Sequence, residues 1–132
     1  MGTIGYLLDT HTFLWVAHDD ARLSDAAKKA IKRENADIYI SAVSAYEIMN
    51  KHRLGKLPEY DYIAKNYLDF LEELGAEELP VSTHHAHFAG KFEWTHRDPF
   101  DRLLAAQASV SNLTLITNDP VFGELSWIKV LW

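Results

Sequence analysis

The chain has 132 residues, no cysteine and a formal net charge of −6, with 13 Lys and Arg against 19 Asp and Glu. The length suits one domain, so we expect residues 1–132 to form a single unit. The absence of cysteine excludes a disulfide scaffold, a thiolate nucleophile and a cysteine-ligated zinc site. The acidic balance argues against binding nucleic acid through bulk positive charge. The apolar runs are short and no secretory leader is visible, so we expect a cytoplasmic protein without a membrane segment.

Strand-like apolar runs alternate with helical spacings along the chain. The predicted strands cover residues 4–8, 37–41, 78–81, 113–116 and 128–131. The predicted helices cover residues 11–18, 25–33, 44–54, 60–74, 83–92, 99–111 and 120–125. This alternation is typical of α/β proteins, so we expect a three-layer α/β/α sandwich with a mostly parallel central sheet. Ligands of such sheets bind at the carboxyl ends of the strands, which is where a site is expected.

Several acidic residues lie close to the predicted strand ends, and each has an ordinary structural explanation. The four of interest are Asp9, Glu47, Asp101 and Asp119. Asp9 and Asp119 stand where helix N-caps belong. Asp98-Pro99-Phe100-Asp101 is also a typical helix start, with Pro99 at the first helical position and Asp101 at the third. Ser44 and Glu47 have the spacing of a capping box. Taken singly, each residue is explained by capping alone.

Taken together, the four acids favour a metal site. In a parallel sheet they converge at one edge, and Asp101 shares a helix face with Leu104 and Ala108, where a carboxylate is partly buried. Two carboxylates ~4 Å apart repel by roughly 4 kcal/mol at an effective dielectric near 20. Capping does not require such clustering, whereas a divalent cation relieves it. Because Mg²⁺ and Mn²⁺ prefer oxygen ligands, we expect one or two of these ions.

Four sequence blocks, in this order, resemble the PIN-domain family. They are YLLDTH at 6–11, SAVSAYEI at 41–48, HRDPFDRLLAAQA at 96–108 and LITNDPVF at 115–122. The resemblance covers nearly the whole chain and implies a PIN-like domain over residues 1–132. With no additional domain, the chain is most similar to the VapC-type toxins of bacterial toxin–antitoxin pairs. The HRDPFDR run is similar to one subgroup of these toxins.

The resemblance assigns roles position by position. Asp9, Glu47, Asp101 and Asp119 match the four acids that act as metal ligands and catalytic residues. Asp101 is taken as the third acid because the pattern Asp-x-Leu-Leu-Ala-Ala-x-Ala begins there, which leaves Asp98 as a cap or a supporting residue. Thr117 matches a hydroxyl position that orients a water or a carboxylate.

The resemblance also implies an activity and partners. The implied activity is that of a metal-dependent endoribonuclease, in which a metal-activated water hydrolyses an RNA phosphodiester and leaves a 5′-phosphate and a 3′-hydroxyl. The implied partners are an RNA substrate, a cognate antitoxin that covers the acidic site, and a second copy of the chain in a homodimer.

An acidic protein needs local basic contacts to bind RNA. The candidates are Lys51, Arg53 and Lys56 near the end of the helix that carries Glu47, and Arg97 and Arg102 beside the third block. An exposed helix face is the alternative explanation for Lys51 and Lys56. His11 lies two residues beyond Asp9 and is a candidate lining residue. For the group His84, His85 and His87, a surface helix start is favoured over a metal site, and the stripe Tyr60, Tyr62, Tyr67 and Phe70 is expected in the core or at a dimer surface.

Three other functions remain open. A phosphoacceptor signalling module shares the length, the α/β pattern and an acidic pocket, but it needs adjacent acids after the first strand, where Thr10 follows Asp9. It also needs a lysine at the end of the last strand, whereas Lys129 lies within that strand. A non-catalytic interaction domain keeps the fold but does not require all four acids. A housekeeping RNA-processing nuclease would use the same site as a toxin.

Overall fold

The computed structural model describes residues 2–132 and contains one five-stranded parallel sheet. The strands are β1 (Ile4–Leu8), β2 (Ala36–Ser41), β3 (Glu77–Leu79), β4 (Thr114–Ile116) and β5 (Lys129–Leu131). Their spatial order is β3-β2-β1-β4-β5, and every neighbouring pair is parallel. At the centre, Leu8 of β1 is in register with Ile40 and Ile116. The ends of three strands therefore lie side by side at one edge of the sheet.

Helices cover both faces of this sheet. They are α1 (Thr10–His18), α2 (Asp25–Lys32), α3 (Ala42–Arg53), α4 (Asp61–Lys65), α5 (Tyr67–Leu74), α6 (Thr83–Lys91) and α7 (Pro99–Val110), with 3₁₀ turns at Pro58–Tyr60 and Pro120–Glu124. Successive strand residues point to opposite faces. Leu8 accordingly packs in a core with Phe13 of α1, while Leu7 packs in a second core with Leu104 of α7. The three-layer α/β/α sandwich expected from the sequence is confirmed.

Two local predictions are wrong for identifiable reasons. The helix expected from residue 44 begins at Ala42, because the Ser41 side chain accepts a hydrogen bond from Val43 N and caps it. Ser44 therefore lies inside the helix and does not form a capping box. The helix expected over residues 60–74 is interrupted at Asn66, whose side-chain amide donates to the Tyr62 carbonyl at 2.8 Å and ends α4. The apolar periodicity continues across the interruption, so the sequence pattern does not reveal it.

Candidate active site at the carboxyl edge of the sheet

Asp9 and Glu47 lie on the segments that follow the neighbouring strands β1 and β2. Asp9 follows β1 directly, and its backbone N–H donates to the Ile116 carbonyl at the end of β4. Glu47 lies on α3, which begins immediately after β2. Asp9 is 8% exposed and Glu47 is 6% exposed. Two carboxylates are thus placed inside the protein, at adjacent strand ends, by the strand order itself.

The Asp9 carboxylate does not cap α1, although Asp9 stands at the N-cap position. Its Oδ2 instead accepts a hydrogen bond from Thr117 Oγ1 at 2.7 Å. Burial raises the pKa of Asp9, the Thr117 bond lowers it in part, and the negative charge of Glu47 raises it further. Burial and the nearby second acid both disfavour the charged form of Asp9, whereas a bound divalent ion would favour it.

Glu47 is held by side chains from two helices. Thr10 Oγ1 donates to Oε1 at 2.7 Å, and Lys51 Nζ lies 2.5 Å from Oε2. Because the single hydroxyl proton of Thr10 is donated to Glu47, the 2.8 Å contact between Thr10 and Ser44 places Ser44 as the donor. Ser44 therefore acts on Glu47 through Thr10. The ammonium group of Lys51, a candidate RNA contact in the sequence, is engaged with Glu47 in this structure.

Asp101 approaches the same space from the first turn of α7. Its side chain is 17% exposed, and Oδ2 accepts a hydrogen bond from His96 Nε2 at 2.6 Å. Burial raises the pKa of Asp101 to about 6; the His96 bond opposes this shift, while the charges of Asp98 and Asp9 add to it. Asp9 is thus close enough to Asp101 for its negative charge to raise the pKa of that acid.

Asp119 and Asp98 both serve as helix caps. Asp119 is exposed, and its Oδ1 accepts from Val121 N at 3.0 Å at the start of the 3₁₀ turn. Its backbone N–H donates to Thr117 Oγ1, so Thr117 joins the Asp119 backbone to the Asp9 carboxylate. Asp98 Oδ1 accepts from Phe100 N at 2.9 Å and caps α7. Asp119 thus lies at the rim of the site.

The spacing of the ligand atoms is wider than in a closed metal site. Across residues 2–132, the one trio of ligand atoms within 4.8 Å of one another is His96, Asp98 and Asp101. The buried acids Asp9 and Glu47 belong to no such trio, although Asp9 is close enough to Asp101 for its charge to raise the pKa of that acid. Asp9, Glu47 and the trio together form the candidate site. Carboxylate oxygens predominate there, a donor set that suits Mg²⁺ or Mn²⁺, with His96 as a nitrogen neighbour.

The candidate RNA-contacting residues differ in whether their side chains bond other parts of the protein or are exposed. Arg102 donates to the carbonyls of Ala89 and Phe92, and its guanidinium lies 4.3 Å from the centre of the Phe92 ring. These contacts hold Arg102 against the end of α6 and the residue that follows it, and the RNA contact predicted for Arg102 stays a prediction. Arg53 is exposed and donates to Asn50 Oδ1 at 2.5 Å. Arg97 is exposed in the loop, between His96 and Asp98 of the trio.

The histidine and tyrosine groups have defined surroundings. His85 is buried, its Nδ1 accepts from Ser82 N in a capping box, and its Nε2 bonds Ser111 Oγ at 3.0 Å. This bonding explains His85 without a metal. His11 is exposed and close enough to Asp9 for its charge to lower the pKa of that acid. Of the aromatic stripe, Tyr60 and Tyr67 lie in the core, which was one of the two locations expected for these residues.

The roles of three polar residues in the site were not predicted from the sequence. They are Thr10, which bonds Glu47, Ser44, which bonds Thr10, and His96, which bonds Asp101. No sequence spacing indicates the contact between Thr10 and Ser44, because the two residues lie on different helices, and the capping-box spacing of Ser44 and Glu47 predicts a different bond. His96 precedes Asp101 by five residues, a separation that brings two side chains together only if the intervening loop reverses direction. The one sequence signal for Thr10 and Thr117 is that each is a polar residue within two positions of a candidate acid, Asp9 or Asp119.

The fold and this edge define a parallel α/β/α protein with buried carboxylates at the ends of its central strands. The PIN domain model matches residues 6–128, so the chain belongs to the PIN domain family. Among curated protein sequences, none matches significantly. Across residues 2–132, no helix has both the length and the apolar character that crossing a membrane requires.

Solved structures of VapBC proteins have a similar fold. The VapBC2 structure from Rickettsia felis, bound to a DNA fragment from its promoter, matches with a TM-score of 0.68 and 18% identity over 97% of this chain and 98% of that chain. The DNA-bound VapBC structure from Salmonella typhimurium matches with a TM-score of 0.66 and 17% identity over 98% of both chains. VapBC-5 from Mycobacterium tuberculosis, a member of the VapBC family of toxin–antitoxin systems, matches with a TM-score of 0.57 and 21% identity over 96% and 95%.

Proposed function

We propose that this PIN-domain protein is a metal-dependent endoribonuclease and the toxin of a type II toxin–antitoxin pair. The observation that supports it most directly is the pair Asp9 and Asp101, two carboxylates whose pKa values are raised by burial and by neighbouring negative charge. Such a pair is unfavourable as a purely structural element and favourable around a divalent cation. The similarity to VapBC structures supports the toxin assignment.

Each acid has a distinct proposed role. Asp9 and Asp101 would hold the cation directly, and Glu47 and Asp119 would bind it directly or through water. When bound, Mg²⁺ or Mn²⁺ supplies positive charge beside the scissile phosphate and a water of lowered pKa. Thr117 keeps one Asp9 oxygen in a hydrogen bond, which leaves the other oxygen for the cation. Thr10 and Lys51 fix Glu47 in the same way, so the carboxylates need little reorganisation on binding.

The remaining chain-level assignments follow from this function. We propose one PIN-like domain over residues 1–132, an RNA substrate, a cognate antitoxin that covers the acidic edge, and a homodimer in the cytoplasm. The solved relatives are themselves VapBC assemblies, which supports the presence of a protein partner. The products expected from attack by water are a 5′-phosphate and a 3′-hydroxyl, without use of the RNA 2′-hydroxyl.

The test is RNA cleavage by the purified chain in Mn²⁺ or Mg²⁺, with structured and unstructured RNA. We expect cleavage to disappear with EDTA and in Asp9→Asn. Glu34→Gln is the matched control, because Glu34 is an exposed acid that precedes β2 at the opposite edge of the sheet. Binding of Mn²⁺, measured in parallel, should be lost in Asp9→Asn and retained in Glu34→Gln. Equal cleavage and equal Mn²⁺ binding by wild type and Asp9→Asn would refute the assignment.

A further inference from the structure

His96 is the one side chain within residues 2–132 that hydrogen-bonds the Asp101 carboxylate. The two residues lie on opposite sides of the turn that precedes α7, and their Nε2 and Oδ2 atoms are 2.6 Å apart. The His96 side chain is 30% exposed. Asp101 projects from the first turn of a helix, so without this bond its carboxylate is free to rotate away from Asp9.

The His96 ring is itself held in place by the loop that carries it. The Trp94 ring lies 4.8 Å from it, and Trp94 Nε1 donates to Glu124 Oε1 at 3.0 Å. At the start of the loop, Trp94 stacks on Phe92, whose carbonyl accepts from Arg102. Trp94, which contacts the imidazole, is therefore held to the 3₁₀ turn that follows β4 through Glu124, and to α7 through Phe92 and its bond from Arg102.

We propose that His96 is a positioning residue that orients Asp101 for the divalent cation. This inference rests on the proposed function, since it assumes that Asp101 binds the ion. It parallels the arrangement at Asp9, where the Thr117 hydroxyl occupies one carboxylate oxygen. A donor on one oxygen fixes the direction of the other, and loss of such a donor commonly weakens metal affinity by about 10- to 100-fold.

The experiment measures the Mn²⁺ dissociation constant by calorimetry for His96→Ala, His96→Gln, Asp101→Ala and the double variant His96→Ala with Asp101→Ala. We expect His96→Ala to weaken binding about 10-fold or more. His96→Gln should restore most of the affinity, because its amide N–H can reach the position of Nε2. In the double variant, loss of His96 should add less than about twofold, since both residues act through one contact. His84→Ala is the control, because His84 is exposed on α6.

Each other result contradicts the inference. If His96→Ala binds Mn²⁺ as tightly as wild type while Asp101→Ala does not, His96 does not position the ligand. If both His96→Ala and His96→Gln lose the ion completely, His96 is itself a ligand. If Asp101→Ala binds normally but Asp9→Asn does not, Asp101 is not a ligand, and the inference fails while the proposed nuclease stands. Thermal unfolding of each variant without metal separates these outcomes from a general loss of structure.

Discussion

The two sides of the candidate site are built differently. On the side of β1 and β2, Asp9 and Glu47 are buried and bonded to hydroxyl groups of neighbouring elements. On the other side, Asp101 is partly exposed and depends on a loop residue, and Asp119 is exposed and caps a short turn. The strand order thus places the inner pair, whereas the outer pair lies at the starts of α7 and of a 3₁₀ turn, each of which follows a connecting segment. Substitutions in the inner pair should consequently affect the chemistry most.

The largest expected difference is between Asp9→Asn and Asp119→Asn. Asp9→Asn removes a buried charge at the centre of the site, so we expect its single-turnover RNA cleavage to fall by roughly 10³-fold, equivalent to several kcal/mol of charge stabilisation. Asp119→Asn should cost about 10-fold, because an amide oxygen can still cap the turn and the side chain lies at the rim. Similar losses of cleavage in the two variants would show that the burial of an acid does not determine how much it contributes to cleavage.

The inner pair could be located from the sequence, because its positions follow from strand ends. The apolar run that ends at Leu8 and the run that ends at Ser41 predict adjacent parallel strands. Asp9 comes directly after Leu8, and Glu47 lies on the helix that begins directly after Ser41. The capping pattern at Ser44 was misleading for a physical reason. Ser41 and Ser44 are both suitable caps, and the bond between Thr10 and Ser44, which the sequence does not encode locally, accompanies the use of Ser41.

The outer side could be located only in part. The Asp-Pro start at Asp98 predicts the beginning of α7, and therefore the first-turn position of Asp101. The bond from His96 depends on the path of an irregular loop, which has no periodicity to reveal it. The interruption at Asn66 is similar, because side-chain bonding to the Tyr62 carbonyl overrides a continuous apolar stripe. Side-chain hydrogen bonds that leave no periodic pattern in the sequence therefore account for most of what was not predicted.

A smaller effect is expected on stability for Asp101→Asn, measured without metal. Burial raises the pKa of Asp101 to about 6 in the folded chain, against an ordinary value of 3.8. Between these values the folded state binds more protons than the unfolded state, so wild-type stability falls as the pH rises from about 4 to about 6. Above this range the charged carboxylate is unfavourable. The variant lacks the charge and should be more stable at pH 7.5, by on the order of 1–2 kcal/mol after allowance for partial exposure.

Thermal unfolding in EDTA at several pH values checks this expectation. The advantage of Asp101→Asn over wild type should shrink as the pH is lowered and should vanish below about pH 4, where both forms are neutral at this position. Glu34→Gln, at an exposed site, should show no such trend. A stability difference between Asp101→Asn and wild type that stays constant with pH would mean that the amide stabilises the chain for another reason. The charge of Asp101 would then not be unfavourable in the folded state.

The smallest expected effect concerns RNA affinity and tests whether the outer side also contacts the substrate. Arg97 is exposed between His96 and Asp98, whereas Arg33 is exposed just before β2, at the opposite edge of the sheet. One phosphate contact changes the logarithmic salt slope of single-strand binding by about 0.7, or roughly fourfold in affinity near 0.15 M salt. In the Asp9→Asn background, which prevents cleavage, Arg97→Gln should show this loss and Arg33→Gln should not. Equal slopes for the two variants would place the RNA elsewhere, and the loop of the outer side would then serve the acids alone.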